Sequence, residues 1–180
     1  NRDHRGRTTA VTDTANVHVP DALAQALRPL VRGEVMSDPY TLSLYSTDAS
    51  IYEITPLLVV YPADESDVRA CLRFSHERGV PLIARGAGSG LAGETLGRAI
   101  ILDMSAHMNR VRELDTELRQ VTVQAGVVLD SLNRSLAPHR LRFGPDPASS
   151  ARCTLGGMIG NNSSGARSLR YGDTRRNVVS

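Results

Sequence analysis

The sequence predicts an α+β domain that combines a short parallel sheet with helices and a small antiparallel sheet. Two observations predict this class. Between residues 57 and 84, an apolar run, an amphipathic helix and a second apolar run follow one another, as is typical of parallel strands joined by a helix. Further along, apolar and polar residues alternate over 108–114 and again over 120–124, which predicts an antiparallel hairpin.

The first 52 residues are predicted to be a polar tail followed by a helical and extended lead-in. Residues 1–16 are expected to be disordered. From Pro20 onward, apolar residues recur at helical spacing until Pro29 ends or kinks the helix. Residues 33–56 show no clear period, so we expect an extended segment that packs over the domain formed by residues 53–180.

The regular part of the domain begins with a strand, a helix and two more strands. Residues 57–61 form an apolar run closed by Pro62, which predicts a buried strand. Asp64 is predicted to be the N-cap of a helix that ends at Gly79. The predicted buried face of this helix consists of Val68, Cys71, Leu72 and Ser75. Residues 81–84 and 99–103 are predicted to be further buried strands.

After the predicted hairpin, which turns at Asp115-Thr-Glu, the chain returns to a helix. Val128, Leu129, Leu132 and Leu136 mark its apolar face, and Pro138 lies beyond its end. Residues 141–143 are predicted to be a short strand that leads into Gly-Pro-Asp-Pro at 144–147. Residues 177–180 are interpreted as the beginning of a strand.

Composition narrows the classes of function. With 180 residues, the chain has the size of one domain, and no apolar window is long enough for a membrane span. A net charge of +2 gives no support for nucleic-acid binding, and all 21 basic residues are Arg, which excludes lysine Schiff-base chemistry within this chain. Cys71 and Cys153 are interpreted as small buried residues in a reducing compartment. We therefore expect a cytoplasmic protein, with peripheral attachment to the inner membrane as the alternative.

Residues 154–165, here called the second segment, are unusually rich in glycine. The sequence Thr-Leu-Gly-Gly-Met-Ile-Gly-Asn-Asn-Ser-Ser-Gly holds four glycines and five small polar residues in twelve positions. Glycine costs about 1 kcal/mol relative to alanine inside a helix, so we expect neither a packed helix nor a central strand. Such bare backbone can approach a flat or charged ligand closely.

Residues 85–93, here called the first loop, form another glycine-rich stretch. Gly88, Gly90 and Gly93 satisfy the GxGxxG pattern, but a dinucleotide-binding fingerprint would require a full helix directly afterwards. Only residues 94–98 precede the next predicted strand. An anion nest of backbone N–H groups flanked by Arg85 fits better, and an ordinary glycine-rich turn is the alternative. We expect the two stretches to converge on one ligand that carries phosphate and a ring system.

Several motifs in one order resemble a known family. They are Leu-Leu-Val-Val-Tyr-Pro at 57–62, Arg-Gly-Ala-Gly-Ser-Gly at 85–90, Val-Gln-Ala-Gly-Val at 123–127, Gly-Pro-Asp-Pro at 144–147, the glycine-rich run at 156–165 and Arg-Tyr-Gly at 170–172. Residues 40–180 resemble the PCMH-type FAD-binding domain of the vanillyl-alcohol-oxidase superfamily. The branch resembled is that of FAD-linked D-lactate dehydrogenase, glycolate oxidase and D-2-hydroxyglutarate dehydrogenase.

The resemblance implies two small α/β subdomains with FAD between them. The residues that it implies around the pyrophosphate are Arg85, Gly86, Ala87, Gly88, Ser89 and Gly90. Those implied along the flavin and ribityl chain are Pro145, Thr154, Gly156, Gly157, Asn161, Asn162, Ser164 and Gly165. No histidine lies in or beside the first loop, where relatives with covalent flavin attach FAD, so non-covalent FAD is expected.

The resemblance also implies that the chain is truncated at its C-terminus. In the family, the metal-binding and catalytic residues lie in a C-terminal domain, and none of the five histidines here matches a catalytic position. We therefore assign no catalytic residue and no metal ligand, and we expect the fragment alone to be inactive. The resemblance to large members at 45–53 is compatible with an iron–sulfur cluster beyond residue 180.

The function implied is FAD binding within a dehydrogenase that oxidises a D-2-hydroxy acid by hydride transfer to flavin N5. Lactate, glycolate and 2-hydroxyglutarate are the candidate substrates; the electron acceptor and the oligomeric state stay open. One alternative is the domain of a covalent-flavin sugar or alcohol oxidase. The other is a flavin-free binding module, in which Arg167, Arg170, Arg175 and Arg176 form an anion or partner patch rather than an ordinary solvated surface.

Overall fold

A computed structural model describes residues 18–179 of the chain, except for the side chain of His18. The prediction for residues 1–16 lies outside these residues. The helices are α1 (His18–Leu27), α2 (Pro39–Leu44), α3 (Glu65–Arg78), α4 (Leu129–Leu136), α5 (Leu155–Gly160) and α6 (Ser168–Tyr171). The strands are β1 (Glu34–Met36), β2 (Leu58–Tyr61), β3 (Leu82–Arg85), β4 (Ile100–Asp103), β5 (Val111–Asp115) and β6 (Gln120–Val123).

A four-stranded sheet in the order β1-β2-β4-β3 forms the centre of the first half of the molecule. β4 pairs in parallel with both β2 and β3, which confirms the predicted parallel strands. Every residue of β4 is buried, whereas β3 lies at the edge of the sheet and is only partly buried. The strand predicted over 81–84 is present as β3, but the prediction that it is buried is wrong, because one side of β3 has no neighbouring strand.

The helix predicted between Asp64 and Gly79 is confirmed at both ends. The Asp64 carboxylate accepts hydrogen bonds from the backbone N–H groups of Ser66 at 2.8 Å and Asp67 at 3.3 Å, and Gly79 ends the helix with a φ of 61°. The buried face contains Cys71 and Phe74, but Leu72 is 51% exposed. The predicted face is confirmed for Val68 and Cys71, which pack in the core of the sheet, and is wrong for Leu72, because Phe74 packs on the sheet instead.

The lead-in is more regular than predicted. Instead of one extended segment, residues 33–56 contain β1, which pairs antiparallel with β2, and the short helix α2. The buried Asp67 carboxylate holds the start of β1 by accepting hydrogen bonds from the backbone N–H groups of Arg32 and Gly33 at 3.0 and 2.8 Å. Burial alone would raise the pKa of Asp67, but these donors, the N–H of Ala63 and the charge of Arg32 lower it below its ordinary value.

A second core lies between the β5–β6 hairpin and helices α4 and α5. The antiparallel pairing of Leu114 with Val121 and of Asp115 with Gln120 confirms the predicted hairpin. The residues buried in this core are Val127, Leu129, Leu132, Leu136, Cys153, Leu155 and Met158. The predicted helix over 128–136 is confirmed as α4.

Three predictions in the second half are wrong. Residues 141–143 form no strand, because the Leu141 N–H bonds back to Leu136 O and the Phe143 N–H bonds to Asn133 Oδ1 at 2.9 Å, so both amides are used by α4. Residues Arg175–Asn177 form a 3₁₀ turn rather than a strand; Ser180 lies outside the described residues. The third error concerns the second segment, which contains a helix.

Candidate functional site

The first loop leaves the edge strand β3 and runs to residue 93 without forming a helix, as predicted. Gly88 has a φ of 61°, a left-handed conformation that side chains other than glycine rarely adopt. The backbone N–H groups of residues 86–91 donate no hydrogen bond to any of the described residues 18–179. Six successive amides with no internal acceptor are the donors that an anion nest requires.

Arg85, the last residue of β3, directs its guanidinium group back toward the lead-in. Its Nη1 and Nη2 atoms donate to the carbonyl oxygens of Tyr45 at 3.2 Å and Thr47 at 2.8 Å. The guanidinium carbon also lies 4.9 Å from the centre of the Tyr45 ring. The Arg85 guanidinium, which was predicted to flank the anion nest, is thus held by two carbonyls and an aromatic ring.

The second segment begins with a capped helix, so the prediction of a loop without packed helix is wrong for residues Leu155–Gly160. Thr154 is the N-cap, and its Oγ1 accepts from the Gly157 N–H at 3.3 Å. Met158 is fully buried in the second core. Its burial, together with the cap, offsets the low helix propensity of the glycines.

The backbone of the second segment is bonded mainly within the protein. The N–H groups of Leu155 and Gly156 donate to the carbonyls of Val127 at 2.9 Å and Ala125 at 2.8 Å. The N–H of Ser163 returns to Met158 O at 2.8 Å. A Cβ on Gly156 would lie 2.9 Å from the Ala125 Cβ, so this glycine allows α5 to pack closely on the residues before α4.

The first loop and the second segment meet at Gly86 and Thr154, and Glu94, just beyond the loop, joins them a second time. A Cβ on Gly86 would collide with Thr154 Oγ1, so the absence of a side chain at Gly86 lets the first loop lie directly against the Thr154 side chain. At the far end of the contact, Asn161 Nδ2 donates to Glu94 Oε1 at 2.7 Å. The Glu94 carboxylate also lies against Gly90 and accepts from the Ala92 N–H at 3.2 Å.

The other predicted residues lie around this contact with different roles. Pro145 is buried, and Gly165 packs so closely on the Asp146–Pro147 backbone that a Cβ there would collide with Asp146 O. The Asn162 side chain is already engaged, because its Nδ2 donates to Asp173 at 3.0 Å and its Oδ1 accepts from the Arg175 N–H at 2.9 Å. Ala87, Gly157 and Ser164 are exposed, and Ser89 is half-buried.

Two sets of residues at the site were not predicted from the sequence. Glu94 bridges the two stretches, and residues 45–52 of the lead-in contact the first loop, for example through the Ala49 N–H, which donates to Gly88 O at 3.0 Å. Just beyond the loop, Asp48 accepts from Thr95 Oγ1 at 2.8 Å. Burial would raise the pKa of Asp48, but hydrogen bonds from Ser50 and Thr95 and the charge of Arg85 lower it. The spacing of these residues in the sequence carries no signal of either contact.

Groups suited to acid–base or metal chemistry do not converge here. The described residues contain no cluster of three or more His, Cys, Asp or Glu side chains arranged for a metal ion. His107 lies 3.3 Å from Glu34, and His76 and His139 are exposed on other surfaces. Three cavities of about 590, 990 and 330 Å³ lie elsewhere, and residues 85–93 and 154–165 line none of them. No helix among residues 18–179 has the length and apolar content to cross a membrane.

Comparison with known families finds a match over most of the chain. The family described as FAD binding domain matches residues 56–180. Among curated proteins, D-2-hydroxyglutarate dehydrogenase of Pseudomonas putida is 39% identical over 171 residues, which cover 93% of this chain and 17% of that protein. Glycolate oxidase subunit GlcD of Escherichia coli is 35% identical over 162 residues, which cover 88% of this chain and 32% of that protein. The chain thus spans less than a fifth of the first relative and about a third of the second.

Solved structures share the fold at lower identity. An alkyldihydroxyacetonephosphate synthase superimposes with a TM-score of 0.76 at 24% identity, over 85% of this chain and 34% of that one. The 6-hydroxy-D-nicotine oxidase of Arthrobacter nicotinovorans gives a TM-score of 0.70 at 20% identity, over 81% of this chain and 32% of that one. The arrangement of a mixed sheet and a separate hairpin is therefore shared with both.

Proposed function

The chain belongs to the FAD binding domain family, and from this premise we propose that it forms the FAD-binding part of a dehydrogenase that oxidises a D-2-hydroxy acid. The family match covers residues 56–180. The curated relatives named D-2-hydroxyglutarate dehydrogenase, glycolate oxidase subunit and D-lactate dehydrogenase support the class of substrate. Which of these acids is oxidised depends on parts of the protein outside this chain.

One observation carries the cofactor proposal: the row of free amides in the first loop. The pyrophosphate of FAD is an anion, and residues 86–91 offer six backbone N–H groups that have no acceptor among residues 18–179. The missing side chains of Gly86, Gly88 and Gly90 let the loop backbone run close to Thr154, Arg85 and Glu94, which fixes its path. We assign the pyrophosphate to this loop, with Ala87 and Ser89 between the glycines.

The second segment would then form the wall for the flavin and the ribityl chain. Among the residues assigned to this wall, Gly157, Asn161 and Ser164 are exposed, while Thr154 caps α5 at its beginning. Asn162 and Gly165 would act by shaping the backbone, because the Asn162 side chain is engaged and Gly165 contacts Asp146. No histidine lies in or beside the first loop, which supports non-covalent attachment.

When bound, FAD supplies the two-electron acceptor for the hydride of the substrate α-carbon, while the hydroxyl proton leaves to a base and a 2-oxo acid forms. The residues of this chain bind and orient the cofactor. The described histidines lie away from the site, so the base is assigned to the part of the protein beyond residue 180. We assign any iron–sulfur cluster to the part of the protein beyond residue 180, and the free, buried thiols of Cys71 and Cys153 support a cytoplasmic location.

Reconstitution with FAD tests the proposal. We expect the purified chain to retain flavin absorbance after gel filtration and to release FAD on acid precipitation, as a non-covalent complex does. Gly88→Ala should weaken FAD binding at least about tenfold, because alanine is strained at a positive φ and meets the Arg85 guanidinium. Gly79→Ala is the matched control, since Gly79 has the same φ of 61° but ends α3 away from the two glycine-rich stretches, and a Cβ there meets no atom within 4 Å.

Two other outcomes would lead to different conclusions. Flavin that stays with the acid-precipitated protein would establish covalent attachment and favour the sugar or alcohol oxidase alternative. A chain that binds no FAD under any reconstitution condition would contradict the proposal and favour the flavin-free module. The arginine patch gives that module little support, because Arg167 already pairs with Asp146 at 3.1 Å.

A further inference from the structure

We propose that residues 45–52, here called the lead-in clamp, set the conformation of the first loop, and that Arg85 and Tyr45 are positioning residues for the pyrophosphate site. The inference deepens the proposed function and rests on it. The clamp precedes the matched range of residues 56–180. Its contacts reach the beginning, the middle and the end of the first loop.

At the beginning of the loop, Arg85 joins the clamp to the sheet. Its guanidinium donates to Tyr45 O and Thr47 O and lies over the Tyr45 ring. The same guanidinium packs under Gly88, where a Cβ would lie 2.8 Å from Nη2. Planar guanidinium is suited to this geometry, since it presents donors in a fixed fork and stacks on aromatic rings, whereas lysine offers a single compact ammonium group.

Tyr45 is anchored in turn to the centre of the sheet. Its hydroxyl donates to Asp103 Oδ2 at 2.5 Å, and Asp103, the last residue of β4, is 6% exposed. Asp103 also accepts from the Ser105 N–H at 2.7 Å. Desolvation by burial and the hydrogen bond to Asp103 raise the pKa of Tyr45, so the hydroxyl remains a neutral donor. A continuous set of contacts therefore runs from β4 through Asp103, Tyr45 and Arg85 to Gly88.

In the middle of the loop, the clamp holds one peptide group directly. The Ala49 N–H donates to Gly88 O at 3.0 Å, so this carbonyl points toward the clamp. In a trans peptide the N–H points opposite to the C=O, and the Ser89 N–H is therefore directed away from the clamp. The hydrogen bond to Ala49 thus determines the direction in which a central amide of the nest is presented.

At the end of the loop, the clamp makes two more contacts. Thr95 Oγ1 donates to Asp48 Oδ2 at 2.8 Å, and the Tyr52 ring lies where a Cβ on Gly93 would approach within 2.7 Å. A glycine-rich loop whose amides have no internal acceptor is otherwise free to adopt many conformations. The clamp raises the fraction of molecules in which the amides are ready for an anion, and the apparent affinity follows that fraction.

The decisive variant is Arg85→Lys, because it keeps the positive charge and removes the planar set of N–H donors that bonds Tyr45 O and Thr47 O. Pyrophosphate, FAD and riboflavin serve as three separate probes of the full 180-residue chain. We expect the affinity for pyrophosphate and FAD to fall about tenfold in Arg85→Lys and about threefold in Tyr45→Phe. Affinity for riboflavin, which carries no phosphate, should change less than about twofold. Arg73→Lys and Tyr40→Phe, both at exposed positions, are the matched controls.

The same variants have outcomes that would overturn the inference. If Arg85→Lys retains the pyrophosphate affinity, Arg85 acts only through its charge. If all three affinities and the melting temperature fall together, the clamp is a general stability element. If the wild-type chain binds pyrophosphate but not FAD, the proposed function fails while the variants still test the clamp through pyrophosphate and the Ser89 amide resonance. A wild-type chain that binds neither probe contradicts both proposals.

Discussion

The first loop and the second segment share a glycine-rich composition, but the structure uses their backbones in opposite ways. In the first loop, six successive amides donate no hydrogen bond to the described residues. In the second segment, the amides of Leu155, Gly156 and Ser163 bond to carbonyls within the protein, and Met158 is fully buried. Composition alone therefore does not distinguish an open loop from a tightly packed helix.

The difference follows from what a Cβ at each glycine would contact. Gly88 has a positive φ and lies over a side chain, so its freedom serves the shape of a loop. Gly156 and Gly165 lie against backbone or Ala125, so they permit close packing. We therefore expect substitutions in the second segment to lower the free energy of unfolding, and substitutions in the first loop to lower affinity for anions. The following predictions test this contrast, from the largest effect to the smallest.

The largest effect is expected for Gly165→Ala. Its Cβ would collide with the Asp146 carbonyl, and backbone cannot move aside as a flexible side chain can. We expect the free energy of unfolding to fall by about 3 kcal/mol in urea denaturation. Gly160→Ala, in the same segment but without a neighbour within 4 Å, should not lower it. Equal losses in both variants would contradict the packing explanation.

The two cysteines can locate the effect of Gly165→Ala. Burial raises the pKa of both thiols, that of Cys71 to about 11, so neither reacts readily in the native protein. Cys71 lies in the core of the four-stranded sheet and Cys153 in the second core. In Gly165→Ala, labelling should begin at Cys153 before Cys71. Simultaneous labelling would instead indicate that the two cores open together.

An intermediate effect is expected where the two stretches touch. Gly86→Ala should cost about 2 kcal/mol through its collision with Thr154 Oγ1, and Thr154→Ala about 1 kcal/mol through loss of the N-cap. Because Thr154→Ala also removes the colliding atom, the double variant should be more stable than the sum of the single losses implies. Additive losses measured by urea denaturation would show that the two residues are not in contact.

The smallest effect is expected at Glu94. Its carboxylate lies beside Gly90 and accepts from Asn161, so it places a negative charge next to the proposed anion nest. Glu94→Gln keeps an acceptor oxygen and removes the charge. We expect it to raise pyrophosphate affinity about threefold with little change in stability, in titration calorimetry at low salt. A lower affinity in Glu94→Gln would show that the charge of Glu94 helps to hold the loop.

Much of the fold could be predicted because the relevant signals are local. Asp64 and Gly79 mark the ends of α3 by capping chemistry, and the apolar residues of β2 and β4 reflect burial on both faces. The sequence also predicted that the two glycine-rich stretches converge on one ligand; the stretches do meet at Gly86 and Thr154, and the shared ligand remains a prediction. The assignment of individual residues to FAD remains a prediction.

The errors have a common cause in contacts between residues far apart in sequence. β1 is three residues long and exists because it pairs with β2, about twenty-five residues later. Helix α5 forms despite the low helix propensity of its glycines, because Met158 is buried in a core built by α4 and the hairpin. Leu72 was predicted to face the core because its spacing allows it, but Phe74 packs on the sheet instead. None of these partners can be identified from the local pattern.

The position of β4 between β2 and β3 has a consequence for biosynthesis. β2 and β3 emerge from the ribosome before β4, the strand that pairs with both. The sheet therefore cannot close until residue 103 has been made, and until then β2 and β3 each present an edge without its neighbour. The first loop lies between β3 and β4 in the chain. Because a nascent chain that stops before β4 leaves β2 and β3 without the strand that joins them, we expect it to be susceptible to proteolysis and chaperone binding.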